Sequence, residues 1–181
     1  MGVLGARLKP GESIGDRVIK VDHAGEHGAI AIYRAQRWVS RWRSPSLVPE
    51  IERFLAHELH HRSLFGAELQ RRGRSRCRSY HLCGLGGLVL GFVTALAGPQ
   101  AVSATTVAVE RVVLRHLAEQ SSALRAVDPS AALVVDSIIA DERDHHDSAK
   151  FALHQNSVWS RLIEPIVAAS TETVIWLGMK L

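Results

Sequence analysis

The chain has 181 residues, a net charge of +4 and 46% apolar residues, which suits one domain with a substantial core and excludes a disordered or strongly acidic chain. Its two cysteines, Cys77 and Cys83, are six residues apart; that spacing fits no zinc pattern and predicts buried or interfacial thiols in a reducing compartment. Met1 to Pro10 lacks the apolar run of a secretory signal, and Ala6 stands where a myristoylation site needs Ser or Thr, so neither processing is expected.

Ser13 to about Arg43 reads as one long helix. Ser13 is placed to cap it, Asp16 sits in its first turn, and apolar residues recur at Ile14, Val18, Val21, Ile30, Tyr33 and Trp38. Inside it lies Asp22-His23-Ala24-Gly25-Glu26-His27-Gly28-Ala29. Two glycines within a helix cost about 1 kcal/mol each against Ala, so their missing side chains are expected to admit a neighbouring helix or a ligand close to Glu26. His23, one turn earlier, suits a supporting hydrogen bond better than ligation. Pro45 and Pro49 mark a turn, and a second helix to about Arg72 carries Glu58 and His61. Glu26 lies farther from this turn than Glu58 does, so levelling the two carboxylates calls for a partly extended loop over residues 43–49.

Arg71, Arg72, Arg74, Arg76 and Arg78 follow, and then no Asp, Glu, Lys or Arg occurs from Ser79 to Val109. The apolar stretch Leu82–Gly98 is at the short end of what spans a bilayer and is rich in glycine. It is read as a helix dipping into one leaflet, with the arginines facing anionic head groups; a buried core helix beside a solvated basic loop is the alternative. Nucleic-acid binding is not expected, because the arginines have no interleaved aromatic residues. A fourth helix from Pro99 carries Glu110 in an apolar setting, where it needs a metal or an arginine as partner. Asp128-Pro129 starts a fifth helix to about Gln155, with Glu142 and His145. Asp141 beside them suits a hydrogen bond to a ligand histidine of the other half or an ordinary acidic face, whereas Asp144, His146 and Asp147 read as surface. A last helix from Val158 to Leu181 has an apolar stripe through Leu162, Ile166, Val167, Val174, Ile175 and Leu177, open to core packing or membrane contact.

The two halves repeat in a single register: Glu26 matches Glu110, Glu58 matches Glu142, His61 matches His145, and Pro45 matches Pro129. Each half thus has one Glu and, at the same separation downstream, a Glu-x-x-His whose side chains share a helix face. Carboxylate and imidazole together suit a borderline divalent metal, and the whole set matches the ferritin-like di-metal carboxylate pattern. The expected fold is all-α: a ferritin-like four-helix bundle built from two duplicated helix pairs (13–72 and 99–156), with an extra apolar membrane-associating helix (80–98) and a C-terminal helix (158–181), in one domain over 1–181.

The stretches Val21-Asp22-His23-Ala24-Gly25-Glu26, Glu58-x-x-His61, Thr106-Val107-Ala108-Val109-Glu110 and Asp141-Glu142-x-x-His145-His146-Asp147 resemble the demethoxyubiquinone hydroxylase family over nearly the whole chain. The resemblance implies a membrane-associated monooxygenase of ubiquinone biosynthesis, with two Fe ions (Mn not excluded) held by Glu26, Glu58, His61, Glu110, Glu142 and His145. Glu58 and Glu142 would bridge the metals. It implies a polyprenyl quinol substrate and O2, a peripheral site on the cytoplasmic face of the cell membrane (the matrix face of the inner membrane if mitochondrial), and room for a homo-oligomer or for association with other quinone-biosynthesis proteins. The family usually has an aromatic residue where this chain has His27, and commonly His-Tyr where it has His116-Leu117. The competing readings are a ferritin-like metal store and another di-metal oxidase or peroxidase without quinone hydroxylation.

Overall fold

The first long helix begins where the sequence provides its cap: Ser13 accepts from the Asp16 backbone N–H, and the Asp16 carboxylate accepts from the Ser13 N–H. The computed structural model describes residues 3–154 and 157–181; Met1, Gly2 and the expected end of the fifth helix near Gln155 lie outside the described residues. Six helices follow in order: α1 (Ile14–Arg43), α2 (Val48–Arg71), α3 (Tyr80–Ala97), α4 (Pro99–Leu124), α5 (Pro129–Ala152) and α6 (Val158–Lys180). No strand occurs among the described residues. Gly98, at φ 109°, turns the chain between α3 and α4, and Asp128 caps α5 by accepting from the Ala131 N–H.

Helices α1, α2, α4 and α5 form the bundle, with α3 laid along α1 and α6 along α4. Helices α1 and α4 run antiparallel, since Asp22 meets Gln120 while Tyr33 meets Glu110. One core cluster joins Val18, Phe65, Leu124 and Val135; a second joins Ile30, Tyr33, Phe54 and Val102. Along α1 and α2, Glu26 and Glu58 fall between these two apolar plugs. Cys77 and Cys83 are buried free thiols, as their apolar setting suggested.

Three expectations change here, and one left open, the α6 stripe, is narrowed. The loop after α1 is not extended: Pro45–Leu47 is a single 3-10 turn. It need not be, because Glu26 is level with His61, whose Nδ1 is 3.7 Å from its carboxylate, and Glu58 lies one turn farther along. Trp38 leaves the α1 stripe; it is 55% exposed and stacks on Phe92 of α3. Along α6 only Val167 of the expected stripe is fully buried, and Leu162 and Ile166 face outward. The arginines after α2 do not all reach outward. Arg72 makes a two-pronged pair with Asp128 at 2.6 and 2.8 Å, Arg71 binds Glu68, and Arg74 binds Asp16, because these carboxylates gather at that end of the bundle. Arg76 lies over the Tyr80 ring, and Arg78 is exposed.

The outer face of α3 is apolar and exposed, through Leu85, Val89, Phe92 and Val93. Helix α3 and an 18-residue window of α6 have mean hydropathies of 1.6 and 1.3, so both helices are long and apolar enough to cross a membrane by composition alone.

Candidate metal centre

The six residues singled out by the repeat converge. Glu26, Glu58, His61 and Glu142 bring ligand atoms within 4.8 Å of one another, and so do Glu58, Glu110, Glu142 and His145. The two groups share Glu58 and Glu142, which is the arrangement two adjacent metals need from bridging carboxylates. All six side chains are buried, the two histidines completely. His61 Nδ1 lies 3.0 Å from Glu142, and His145 Nδ1 lies 3.3 Å from Glu58 and 3.4 Å from Glu142. Among the described residues Glu58 Oε1, Glu142 Oε2 and both Nδ1 atoms are shielded from solvent without a hydrogen-bond partner. Orphaned donors and acceptors of this kind, all aimed at one spot, fit a cation. Four carboxylates with two imidazoles suit iron or manganese.

Side chains around the cluster fix its orientation. Asp141 Oδ2 is 3.0 Å from His61 Nε2, accepting that ring's N–H and leaving Nδ1 turned toward Glu142. His57 Nδ1 is 3.1 Å from His145 Nε2 and does the same for the other histidine. His57 and Asp141 occupy equivalent positions in the two halves, so the repeat covers the supports as well as the ligands. Applying the register of the repeat to Asp141 would have found His57 in the sequence. Tyr33 donates to Glu110 Oε1 at 2.9 Å, a role hidden by its place in the apolar stripe. Its counterpart in the second half is Leu117, so Glu26 has no matching tyrosine. Asp144 pairs with Arg53 at the surface. Among the described residues His23 makes no hydrogen bond or ion pair with the cluster; it stacks near Tyr80 at 5.2 Å. His27 stacks flat on Tyr80 at 4.0 Å, filling the place of an aromatic residue.

Burial and mutual repulsion raise the Glu26, Glu58 and Glu110 carboxyls well above their usual range. For Glu142 burial acts in the same sense, but the His145 and His61 rings beside it outweigh it and lower its pKa. Burial would lower the two histidines; their carboxylate partners prevail and lift His61 to about 9 and His145 to about 10.

A cavity of about 640 Å³ opens from this cluster, bounded by α1, α3, α4 and α6. Glu26, Glu58, Glu110 and Glu142 form its floor, and Leu82, Leu85, Val89, Leu90 and Val93 of α3 line its way toward the apolar outer face. Gly25 faces the open space, where an added Cβ would meet nothing, whereas a Cβ added at Gly28 would lie 3.3 Å from the Cys83 carbonyl oxygen of α3. The two glycines thus divide the expected roles, one admitting a ligand and the other a helix. Asp22, which burial lifts to about 7 despite a hydrogen bond from Gln120, also lines the cavity.

The family model described as ubiquinone biosynthesis protein COQ7 matches residues 13–178. This chain belongs to that family. Its similar COQ7-type relatives include the 5-demethoxyubiquinone hydroxylase of Saccharomyces cerevisiae, 41% identical over 58% of this chain and 48% of that one. The NADPH-dependent 3-demethoxyubiquinone 3-hydroxylase of Mus musculus is 32% identical over 90% of this chain and 76% of its own length. The 3-demethoxyubiquinol 3-hydroxylase of Rhodospirillum rubrum is 28% identical over the same shares, 90% and 76%. The chain therefore spans about half the length of the yeast relative and three quarters of the other two.

Proposed function

We propose that this COQ7-family chain is a di-iron monooxygenase that hydroxylates the ring of a demethoxyubiquinol-type substrate with O2. The observation that carries this reading is the pair of interlocked ligand groups, sharing Glu58 and Glu142, at the closed end of an apolar cavity. Glu26, Glu58 and His61 with Glu142 would hold one iron, and Glu58, Glu110 and His145 with Glu142 the other. When bound, the irons supply reducing equivalents and open coordination positions for dioxygen chemistry.

The chain's own residues do the rest. Asp141 and His57 hold the two imidazoles with Nδ1 facing the metals. The Tyr33 hydroxyl holds the Glu110 carboxylate in one orientation. The apolar walls keep water from the reacting ring and take the first part of the polyprenyl tail; a cavity of about 640 Å³ lies within the range that encloses a small organic ligand. The rest of the tail runs between α3 and the membrane.

The exposed apolar faces of α3 and α6 support peripheral attachment to the quinone-bearing membrane, on the cytoplasmic face in a bacterium or the matrix face in a mitochondrion. Arg76 and Arg78 are left to meet anionic lipid, since Arg71, Arg72 and Arg74 are engaged within the chain. Purified protein loaded with iron and given reductant, dioxygen and a demethoxyquinol should release a product one oxygen heavier by mass spectrometry. Stoichiometric iron without product would favour a metal store instead.

A further inference from the structure

A half-buried arginine ordinarily has a carboxylate beside it, because a desolvated guanidinium is costly without one. The arginines of this chain that are drawn in from solvent follow that rule: Arg17 pairs with Glu12, Arg37 with Glu52, Arg72 with Asp128 and Arg74 with Asp16. Arg62 of α2 does not. Among the described residues it is half-buried with no carboxylate in ion-pair range, and its polar contact is the His27 ring, with Nη1 3.5 Å from Nδ1. That ring supplies no negative charge. Burial lowers the His27 pKa, and Arg62, His81, Arg34 and Arg76 lower it further, so the charged groups that act most on it are all cations.

This patch of unbalanced charge lies where α1, α2 and α3 meet. Gly84 of α3 admits the His27 ring, since a Cβ there would sit 2.5 Å from its Nε2. One turn of α3 to either side are His81 and Leu88, both exposed, and Phe92 one turn farther stacks on Trp38 of α1. On α1, Arg34 follows His27 by two turns on the same face. A cationic end thus runs into an exposed apolar strip, and Leu88, Phe92 and Trp38 all lie outside the cavity over the metal cluster. Anionic phospholipids carry charge and hydrocarbon in that order. We infer that Arg62, with Arg34 and His81 at its rim, binds the phosphate of an anionic membrane phospholipid whose acyl chain lies along Leu88, Phe92 and Trp38. The guanidinium fork matches two phosphate oxygens, and the bound phosphate is the partner that Arg62 lacks within the chain. The inference rests on the membrane attachment proposed above and names the lipid group that attachment holds.

The test is calorimetric titration of the full, iron-loaded chain with dihexanoyl phosphatidylglycerol below its micelle concentration, and with inorganic phosphate. The lipid should bind roughly tenfold or more tightly than inorganic phosphate, because only the lipid reaches the apolar strip. Equal affinities would assign the seat to free phosphate and overturn the lipid. Arg62→Gln should lower lipid affinity about tenfold, the size of a hydrogen-bonded charge pair, with iron content unchanged. Its melting temperature without lipid should hold, since no carboxylate loses a partner. The rise of roughly 3–5 °C that the lipid gives the unmodified chain at about ten times its dissociation constant should shrink in the variant. Arg34→Gln with His81→Gln is the second arm, with lipid affinity reduced several-fold, and it carries the test if the first variant does not fold. In sedimentation with phosphatidylglycerol vesicles the Arg62→Gln loss should persist at high salt, because a half-buried pair is screened less than a surface one. Unchanged lipid affinity in both variants would overturn the seat and leave membrane attachment standing. An unmodified chain that binds neither the lipid nor the vesicles would overturn both.

Discussion

A methyl group added at Gly91 of α3 should destabilise the fold, whereas the same methyl at Gly86 should stabilise it. At Gly91 an added Cβ would lie 2.3 Å from the Ile32 carbonyl oxygen and 2.8 Å from the Ile32 Cα, both backbone atoms of α1. Relief to an ordinary 3.4 Å contact requires α3 to retreat by about 1 Å (3.4 − 2.3). At Gly86 the new Cβ would meet nothing within 4 Å. Replacing a helical Gly by Ala gains about 0.5–1 kcal/mol in both places. Overpacking costs about 1–3 kcal/mol, and the rigid carbonyl puts Gly91 toward the upper end. The net expectation is a loss of about 1–2 kcal/mol for Gly91→Ala and a gain of about 0.5–1 kcal/mol for Gly86→Ala. For a chain of this size the melting temperature should fall by roughly 3–6 °C in the first and rise by roughly 2 °C in the second. Thermal unfolding followed by circular dichroism reads both. Equal stabilisation by the two substitutions would mean that α3 is not seated against α1, and the cavity between them would lose its wall.

Three further outcomes are expected. Glu58→Ala and Glu142→Ala each remove a carboxylate shared by both ligand groups, so metal content by elemental analysis should drop from two ions per chain to near zero, while Glu26→Ala and Glu110→Ala, which each touch one group, should retain about one; full occupancy in Glu142→Ala would refute the shared arrangement. The Asp128 carboxyl is held down to about 2 by its hydrogen bonds with Arg72 and, despite burial, by the Ala131 N–H. A depressed folded pKa stabilises above the unfolded value near 4 and loses that contribution as pH falls through about 2, so Asp128→Asn should cost roughly 2 kcal/mol at pH 7 and almost nothing at pH 2; a pH-independent difference in denaturant unfolding would disprove it. Replacing Leu85 and Val89 by Ser should weaken sedimentation with anionic vesicles tenfold or more at any salt, while Arg76→Ser with Arg78→Ser should matter only at low salt; unchanged partitioning in both would remove α3 from the membrane.

The convergence of the six Glu and His residues was readable in the chain because a helix converts spacing into direction. Glu-x-x-His at positions 58–61 and 142–145, each equally far beyond a lone Glu, leaves little freedom once four helices pack side by side. Helix ends were readable for the same local reason: Ser13, Pro99 and Asp128 satisfy backbone groups within one turn of themselves. The supports were legible only in part. Asp141, and His57 through the register of the repeat, lie beside the Glu-x-x-His pairs, whereas Tyr33 acts on a residue 77 positions away, and nothing near it in sequence says which neighbour its hydroxyl will meet. The arginines after α2 were misjudged for a related reason, since a basic run looks solvated until distant carboxylates such as Asp16 and Asp128 are folded onto it.

Sequence by itself determined six helices, their duplicated order and the six Glu and His residues that turn inward, because periodicity and capping are local. Only the tertiary structure decided that α3 and α6 enclose a cavity over these residues and that Tyr33 donates to Glu110 beside them. Those facts depend on which helix faces meet across the bundle, and packing between residues far apart in the chain sets that.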